Sequence, residues 1–342
     1  MHRRRFIAAL SASALLGSFA LHATAADAPA PGAMQAVRLH EYGDAAVMKL
    51  EEAPCPAPAK GQMLVRVKAA GVNPVDWKIR SGKFRGMMPL VLPAILGYDV
   101  AGTVESVGED VTKFKAGDQV YAYMPLTRGG GYAQYAVVGE SEAAMKPEKA
   151  DFEHAAAVPV AALTAYQALF DTAGLKAGQT VLIHAGAGGV GHLAIQLAKW
   201  KGATVIATAS ESNQAFLKEL GADVVIDYKA VKFEDVAKNV DVVLDAVGGD
   251  TQDRSFGVLK KGGMLVSIVQ PPSPQKAMEF GVRATVIMVQ PNGAQLAEIA
   301  GLIDAGKVKP HVSDTFPLAE ATKAHEKSET GRTRGKIVLT VP

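Results

Sequence analysis

With a single cysteine, Cys55, the chain cannot close an intrachain disulfide, so its fold must be held by its core. Histidine is also scarce: eight residues, none of them paired as H-x-H or H-x-x-x-H. A zinc centre needs about four nitrogen, oxygen or sulfur ligands, and nothing here supplies them at ligand spacing. Aromatic residues make up only 6%, and no basic run carries interleaved aromatics, which argues against a nucleic-acid partner. The net charge of +2 owes its sign to Arg3, Arg4 and Arg5; without them 33 basic residues face 34 acidic ones. The apolar run at 6–21 is short for a membrane span and is broken by serines and a glycine, so stable membrane insertion of the mature chain is not expected. What remains is a chain of 342 residues, 49% hydrophobic and 20% charged, the balance of an ordinary globular protein long enough for two domains.

The N-terminus reads as a targeting segment. Basic residues at 2–5, the apolar run, and Ala23-Thr24-Ala25 as an A-x-A cleavage site make a bacterial secretory signal peptide over 1–25. The arginines before Phe6 and Ile7 fit a twin-arginine signal, with an ordinary Sec signal or an uncleaved anchor as alternatives. The expectation is export of a folded protein to the periplasm. Residues 26–33 then form a Pro/Ala linker.

The most informative stretch is 180–210, TVLIHAGAGGVGHLAIQLAKWKGATVIATAS. An apolar run at 180–184 is of strand type. Gly186, Gly188 and Gly191 follow at the spacing G-x-G-x-x-G. From Val190 the pattern turns helical, with Leu193, Ile195, Leu197 and Ala198 apolar; Gly202 ends it, and 204–207 reads as a second strand. Strand, glycine turn, helix and strand within about thirty residues make a dinucleotide-binding βαβ unit. Gly186 would allow the tight turn, Gly188 the approach of backbone N–H groups to a pyrophosphate, and Gly191 close helix–strand packing. Gly186, Ala187, Gly188, Gly189, Val190 and Gly191 are thus the candidate phosphate cradle. An NAD site would carry an acid at the end of the second strand. Here Ala209 and Ser210 stand there, which favours NADP over NADH, although no Arg or Lys occurs within 210–214.

Upstream, 34–39 and 63–69 alternate like half-buried strands, and Pro54, Pro56 and Pro58 mark a loop between them. Gly102 interrupts the strand-like 97–108 as a bulge would. With further strands at 119–123 and 132–138, closely spaced turns suggest a small β-barrel of about 120 residues. The period becomes helical at 155–170. Helices at 213–220 and 290–306 then alternate with strands at 224–226, 240–245 and 264–268, which implies a parallel sheet covered on both faces. The run 335–339 reads as a last strand returning to the first domain. The expected domains are 34–155, completed by 310–342, and 156–309.

These residues resemble the medium-chain dehydrogenase/reductase superfamily, in its zinc-independent quinone oxidoreductase branch. The marks are GVNPVDWKIRSG from Gly71, GYDVAGTVESVG from Gly97, GDQVY from Gly117, GGGYAQY from Gly129, LTAYQAL from Leu163, the glycine motif, and GKIVL from Gly335. The resemblance implies an α/β architecture: a GroES-like β-barrel catalytic domain plus a Rossmann domain with a doubly wound parallel sheet, and an active site between them. Zinc-containing relatives have a cysteine near Asn73 and G-H-E where this chain has Gly97-Tyr98-Asp99; they also carry a four-cysteine lobe that one cysteine cannot build. No metal is expected.

The resemblance places Asn73 near the nicotinamide and the substrate carbonyl, where its amide could stabilise developing charge on oxygen; a turn asparagine bonding its own backbone is the alternative. Tyr98 is read as a hydrogen-bond or proton donor, or as a packing tyrosine. Asp99 is expected to be structural, and Asp76 and Trp77 to shape the cleft wall. Thr164 is read as a carboxamide neighbour or a helix cap, and Tyr228 matches a family tyrosine that approaches the 2′-phosphate. Ser210 and Asn213 belong to the same end of the site. Ala246, Val247 and Ser267 occupy strand ends facing the nicotinamide half. Arg334 and Lys336 are either cofactor contacts or a solvated basic turn. His184 and His192 are expected to be structural or to line the cofactor. The resulting expectation is an exported NADPH-dependent reductase of quinones or α,β-unsaturated carbonyls. An enoyl-thioester or alkenal reductase, and a nucleotide-binding protein without turnover, are the alternatives. Homodimerisation is left open.

Overall fold

The computed structural model describes His2 and residues 32–342. The expected signal peptide, His2 apart, and the linker up to residue 31 lie outside the described residues. The chain enters with β1 (Ala33–Leu39) and β2 (Met48–Pro54), continues through β3 (Gln62–Val72), α1 (Pro74–Arg80), β4 (Ala94–Ile95), β5 (Asp99–Val107), β6 (Gln119–Tyr123), β7 (Tyr135–Gly139) and β8 (Ala143–Met145), and leaves through α2 (Phe152–Ala156) and α3 (Pro159–Tyr166). Next come β9 (Thr180–Ile183), α4 (Gly191–Trp200), β10 (Thr204–Ala209), α5 (Gln214–Glu219), β11 (Val224–Asp227), α6 (Phe233–Val236), β12 (Val240–Asp245), α7 (Gly249–Ser255), β13 (Leu259–Ser267), α8 (Pro274–Phe280), β14 (Arg283–Val286) and α9 (Gly293–Asp304). β15 (Val312–Pro317), α10 (Ala321–Glu329) and β16 (Lys336–Thr340) close the chain.

The first and last strands share a GroES-like β-domain. Its main sheet runs β15-β16-β3-β5-β6-β8, with β7 also on β3, and a smaller sheet runs β2-β1-β4. β16 pairs antiparallel with β3, Ile337 opposite Val72, so the chain end is stitched beside Asn73. Between these parts the Rossmann sheet runs β11-β10-β9-β12-β13-β14, with every pairing parallel. Val181, Leu182 and Ile183 are wholly buried because helices cover both faces of that sheet. One apolar cluster continues from Val65 and Val100 through Leu163 to Ile183, Leu193 and Leu339, so the two domains share a core.

Several local readings change. The helix expected at 155–170 is broken: Pro159 lacks an N–H to continue the preceding turn, so it starts α3 afresh, and a wider π turn follows at Gln167–Thr172. At Gly102 the extra residue is Lys68 on β3, since the ladder steps from Val67↔Gly102 to Ala69↔Ala101. Gly102 itself is demanded by close approach, because a Cβ there would lie 2.1 Å from the Arg66 carbonyl oxygen. β14 and the short helices α6 to α8 have no counterpart in the sequence reading, being too short for a period to declare itself.

Candidate active site

β9 ends beside β12 in the middle of the parallel sheet, where the strand order reverses, and ligands bind in the crevice beyond such a point. The glycine turn fills that position. Its left-handed residue is Ala185, at φ 52°, so the positive φ of the tight turn falls one residue before Gly186. Gly186 is required for packing: a Cβ there would lie 3.0–3.2 Å from Leu217, Ala207 and Ile195. At Gly191 a Cβ would stand 2.3 Å from the Ala185 carbonyl oxygen, so the start of α4 is pressed onto the turn. Gly188 is open except for Ala185 oxygen at 3.3 Å, which leaves backbone accessible to a ligand at the helix N-terminus. His192 secures the turn from below. Its Nδ1–H donates to Gly188 oxygen at 3.0 Å, and its Nε2 accepts the His311 N–H at 3.2 Å. Burial drives its pKa down to about 4, so it is a neutral strut. His184 is likewise buried, between Thr208 at 3.2 Å and Ser255 at 2.9 Å. Neither has the partners of a catalytic base.

At the end of β10 the structure assembles what the local sequence lacked. Ser210, Glu211, Ser212, Asp227, Lys229 and Ala230 line a shallow pocket of about 360 Å³. Asn213 Nδ2 donates to Ser210 Oγ at 3.2 Å, and its Oδ1 accepts Arg334 Nε at 2.6 Å. Arg334 also donates to the Ser212 carbonyl at 3.0 Å and lies over the Phe216 ring at 5.4 Å. Among the described residues Arg334 has no carboxylate partner, so its charge is available to an anion. Two acids share the pocket with the Lys229 side chain: Asp227 accepts the Lys229 N–H at 3.0 Å, and Glu211 is exposed at its rim. Tyr228, 57% exposed, follows on the same side. A glycine turn at a helix N-terminus, a small residue at Ala209 and an unpaired guanidinium fit a dinucleotide carrying a 2′-phosphate.

Asn73 sits at the other end, extended as Pro74 requires (φ −123°, ψ 152°), at the start of α1. Its side chain does not bond its own backbone. Nδ2 donates to Asp99 Oδ2 at 2.9 Å, and Oδ1 accepts the Lys336 ammonium. These partners fix the amide's orientation, and only one of the two Nδ2 hydrogens is used among the described residues. Lys336, 3% exposed, spends its other hydrogens on Val72 oxygen at 3.2 Å and Asp99 at 3.5 Å. Its ammonium therefore serves Asn73 rather than forming part of a solvated turn. Asp99 Oδ1 accepts the Val160 N–H at 2.7 Å, at the N-terminus of α3. Burial raises its pKa, and Lys336, Asn73 and Val160 each oppose that rise. Gly71 makes room, since a Cβ there would lie 2.9 Å from Asp99 Oδ2.

Behind Asn73 lies a polar chain that the sequence reading missed. Asp76 Oδ2 accepts the Asn73 N–H at 2.8 Å and the Tyr132 hydroxyl at 2.6 Å. Tyr132 oxygen is 3.2 Å from His325 Nε2, and His325 Nδ1 is 3.2 Å from Arg80 Nη1. Arg80 can only donate, so Nδ1 accepts and Nε2 carries the hydrogen towards Tyr132. Every donor thus points towards Asp76. Burial, with Arg80 second, takes His325 down to about 3, which keeps it neutral. Burial takes Asp76 up to about 7, against the pull of Tyr132 and the Asn73 N–H. The spacing of Asn73 and Asp76 is that of a capping box and could have flagged Asp76. Nothing in the sequence joins Tyr132, His325 and Arg80.

The remaining candidates divide by how free they are. Thr164 donates to Val160 oxygen at 2.6 Å within α3. Ala246 and Val247 follow β12; the Val247 N–H goes to Asp245 at 3.0 Å, and Val247 is 51% exposed. Ser267 donates to Asp245 at 2.8 Å, so Asp245, also unforeseen, organises that strand end. Tyr98 is 1% exposed with no hydrogen bond from its hydroxyl among the described residues. Burial raises its pKa, making it a weaker acid.

The comparisons agree with this geometry. Residues 59–148 match the alcohol dehydrogenase GroES-like domain, and 220–339 match a zinc-binding dehydrogenase domain. The chain is 36% identical over 324 residues to the chloroplast envelope quinone oxidoreductase homolog of Arabidopsis thaliana, covering 90% of this chain and 98% of that protein. It is 39% identical over 341 residues to the chloroplastic NADPH-dependent alkenal/one oxidoreductase of the same plant, covering 96% and 85%. The solved quinone oxidoreductase of Coxiella burnetii superposes with a TM-score of 0.84 at 41% identity, covering 91% and 100%. With a candidate dinucleotide site at one end and a held asparagine at the other, the chain belongs to the medium-chain dehydrogenase/reductase superfamily as a quinone oxidoreductase-like, NADPH-dependent oxidoreductase.

Proposed function

We propose that this protein reduces a quinone or an α,β-unsaturated carbonyl compound without zinc, outside the cytoplasm. The observation that carries the reading is the Asn73 amide, held by Asp99 and Lys336 with one N–H uncommitted. NADPH, bound on the glycine turn, supplies the hydride. The uncommitted N–H of Asn73 donates to the acceptor's oxygen as negative charge builds there. With an enone the hydride goes to the β-carbon, and solvent provides the proton that completes the saturated ketone; a quinone takes hydride and proton to give the hydroquinone. Tyr98, raised by burial, packs the site wall.

Zinc independence is supported by the resemblance, which puts Tyr98 where zinc-containing relatives carry a histidine, and by the single cysteine. Among the described residues no group of three His, Cys, Asp or Glu is arranged to hold a metal. Export is supported by the arginines before Phe6 and the A-x-A site. A homodimer is supported by β14, an edge strand flanked by exposed Met278, Phe280 and Met288; light scattering of the wild type and a Val286→Lys variant tests it. The deciding experiment is NADPH oxidation against a panel of quinones, enones, alkenals and an enoyl thioester, with Asn73→Ala alongside. Turnover that survives a chelator and falls at least about tenfold in the variant is expected. Binding of NADPH with no oxidation by any acceptor would favour a nucleotide-binding protein instead.

A further inference from the structure

Lys336 comes from the far end of the chain, yet its ammonium touches Asn73 Oδ1 while Asp99 takes the hydrogen of Asn73 Nδ2. The two charged groups are themselves 3.5 Å apart and are 3% and 0% exposed. Burying a cation and a carboxylate is costly, and here both are aimed at opposite ends of one neutral amide. A cation at the carbonyl oxygen and an anion at the amide nitrogen favour the resonance form with negative oxygen and positive nitrogen. That form makes the remaining N–H a stronger donor, as chained hydrogen bonds polarise one another. The lysine stem also lies against the cofactor turn: a Cβ on Gly189 would sit 3.1 Å from Lys336 Cδ, and the Gly335 N–H donates to Ala187 oxygen at 2.8 Å. The turn that receives the dinucleotide therefore places the ammonium that aims at Asn73.

We infer that Lys336 and Asp99 are positioning residues that orient and polarise the Asn73 amide, making it a stronger donor to the acceptor oxygen. This rests on the reading of Asn73 given above. The test is single-turnover hydride transfer from NADPH in the full-length enzyme, with the primary isotope effect from C4-deuterated NADPH and the dissociation constant of NADPH measured alongside. Lys336→Met is expected to slow hydride transfer roughly tenfold to a hundredfold and to raise the observed isotope effect. Affinity for NADPH should change by less than about threefold, a split that general unfolding would not give. In an Asn73→Ala background the same substitution should cost less than about threefold, because no amide is left to polarise. Equal fold-losses in both backgrounds overturn the inference while leaving Asn73's own role intact. Unchanged hydride transfer in Asn73→Ala alone would instead sink the reading of Asn73, and this inference with it. If Lys336→Met leaves Asp99 an unpaired buried carboxylate and the protein fails to fold, the charge-balanced pair Lys336→Met with Asp99→Asn replaces it in both backgrounds. That pair should remain slow; wild-type rates from it would overturn the inference.

Discussion

Arg334 is the most direct lever on cofactor choice. Changing Arg334→Ala removes a guanidinium that Asn213 Oδ1 at 2.6 Å and the Ser212 carbonyl at 3.0 Å hold at the end of β10. No carboxylate among the described residues competes for it. A unit charge pair at ~4 Å is worth about 1 kcal/mol in bulk water and about 4 kcal/mol at the effective dielectric of a protein surface. Arg334 is exposed, so the lower part of that range applies: about 1–2 kcal/mol, or roughly fivefold to thirtyfold in affinity. NADH has no 2′-phosphate and should bind the variant within about twofold of the wild type. Ala209→Asp works from the opposite side, placing a carboxylate at the strand end and weakening NADPH by a similar factor through repulsion. Fluorescence titration of each protein with NADPH and NADH, at low and at high salt, reads both effects; the NADPH preference should shrink as salt screens the site. An Arg334→Ala protein whose ratio of NADPH to NADH affinity equals that of the wild type would refute the assignment.

Three further outcomes follow from other parts of the molecule. Gly191→Ala forces a methyl to within 2.3 Å of the Ala185 carbonyl, so the turn must open; dinucleotide affinity should fall more than about tenfold by the same titration, with a lowered melting temperature. His184, His192 and His325 stay neutral down to about 4, 4 and 3, whereas the unfolded chain protonates them near ~6.5. With folded values below unfolded ones, this stability is whole above ~6.5 and drains as pH falls towards ~4 for His184 and His192 and ~3 for His325, at up to about 3 kcal/mol for each of the first two and about 5 kcal/mol for the third. Asp76 and Asp99, whose pKa values are raised, pull the other way and offset part of the loss. Urea unfolding should therefore show a net loss of about 1–3 kcal/mol between roughly pH 7.5 and roughly pH 5, and an unchanged midpoint would contradict it. Finally, replacing Arg3, Arg4 and Arg5 by Lys should leave activity intact and hold the precursor in the cytoplasm, because lysine keeps the charge and loses the planar donor fork. Undiminished periplasmic protein from that variant, seen by fractionation, would eliminate the twin-arginine route.

The βαβ unit was legible because its signals are local. A strand run, glycines at fixed spacing and an apolar helix lie within one stretch, and backbone geometry ties each to its neighbours in sequence. The same holds for the extended Asn73 before Pro74 and for Gly191 at the helix start. Even there, sequence could not say that Ala185 takes the positive φ, or that Gly186 is small for the sake of Leu217 and Ile195. The partnerships that give the site its chemistry were not legible, because they arrive by tertiary pairing; for Arg334 and Lys336 the sequence left cofactor contact and solvated basic turn both open. Arg334 meets Asn213 across 121 residues, Lys336 meets Asn73 across 263, and His325 meets Tyr132 across 193. Local periodicity reports which face of an element is buried; it carries no record of which distant charge shares that burial. β16 returning beside β3 decides this, since only that pairing brings the last cations of the chain to the cofactor turn and the asparagine.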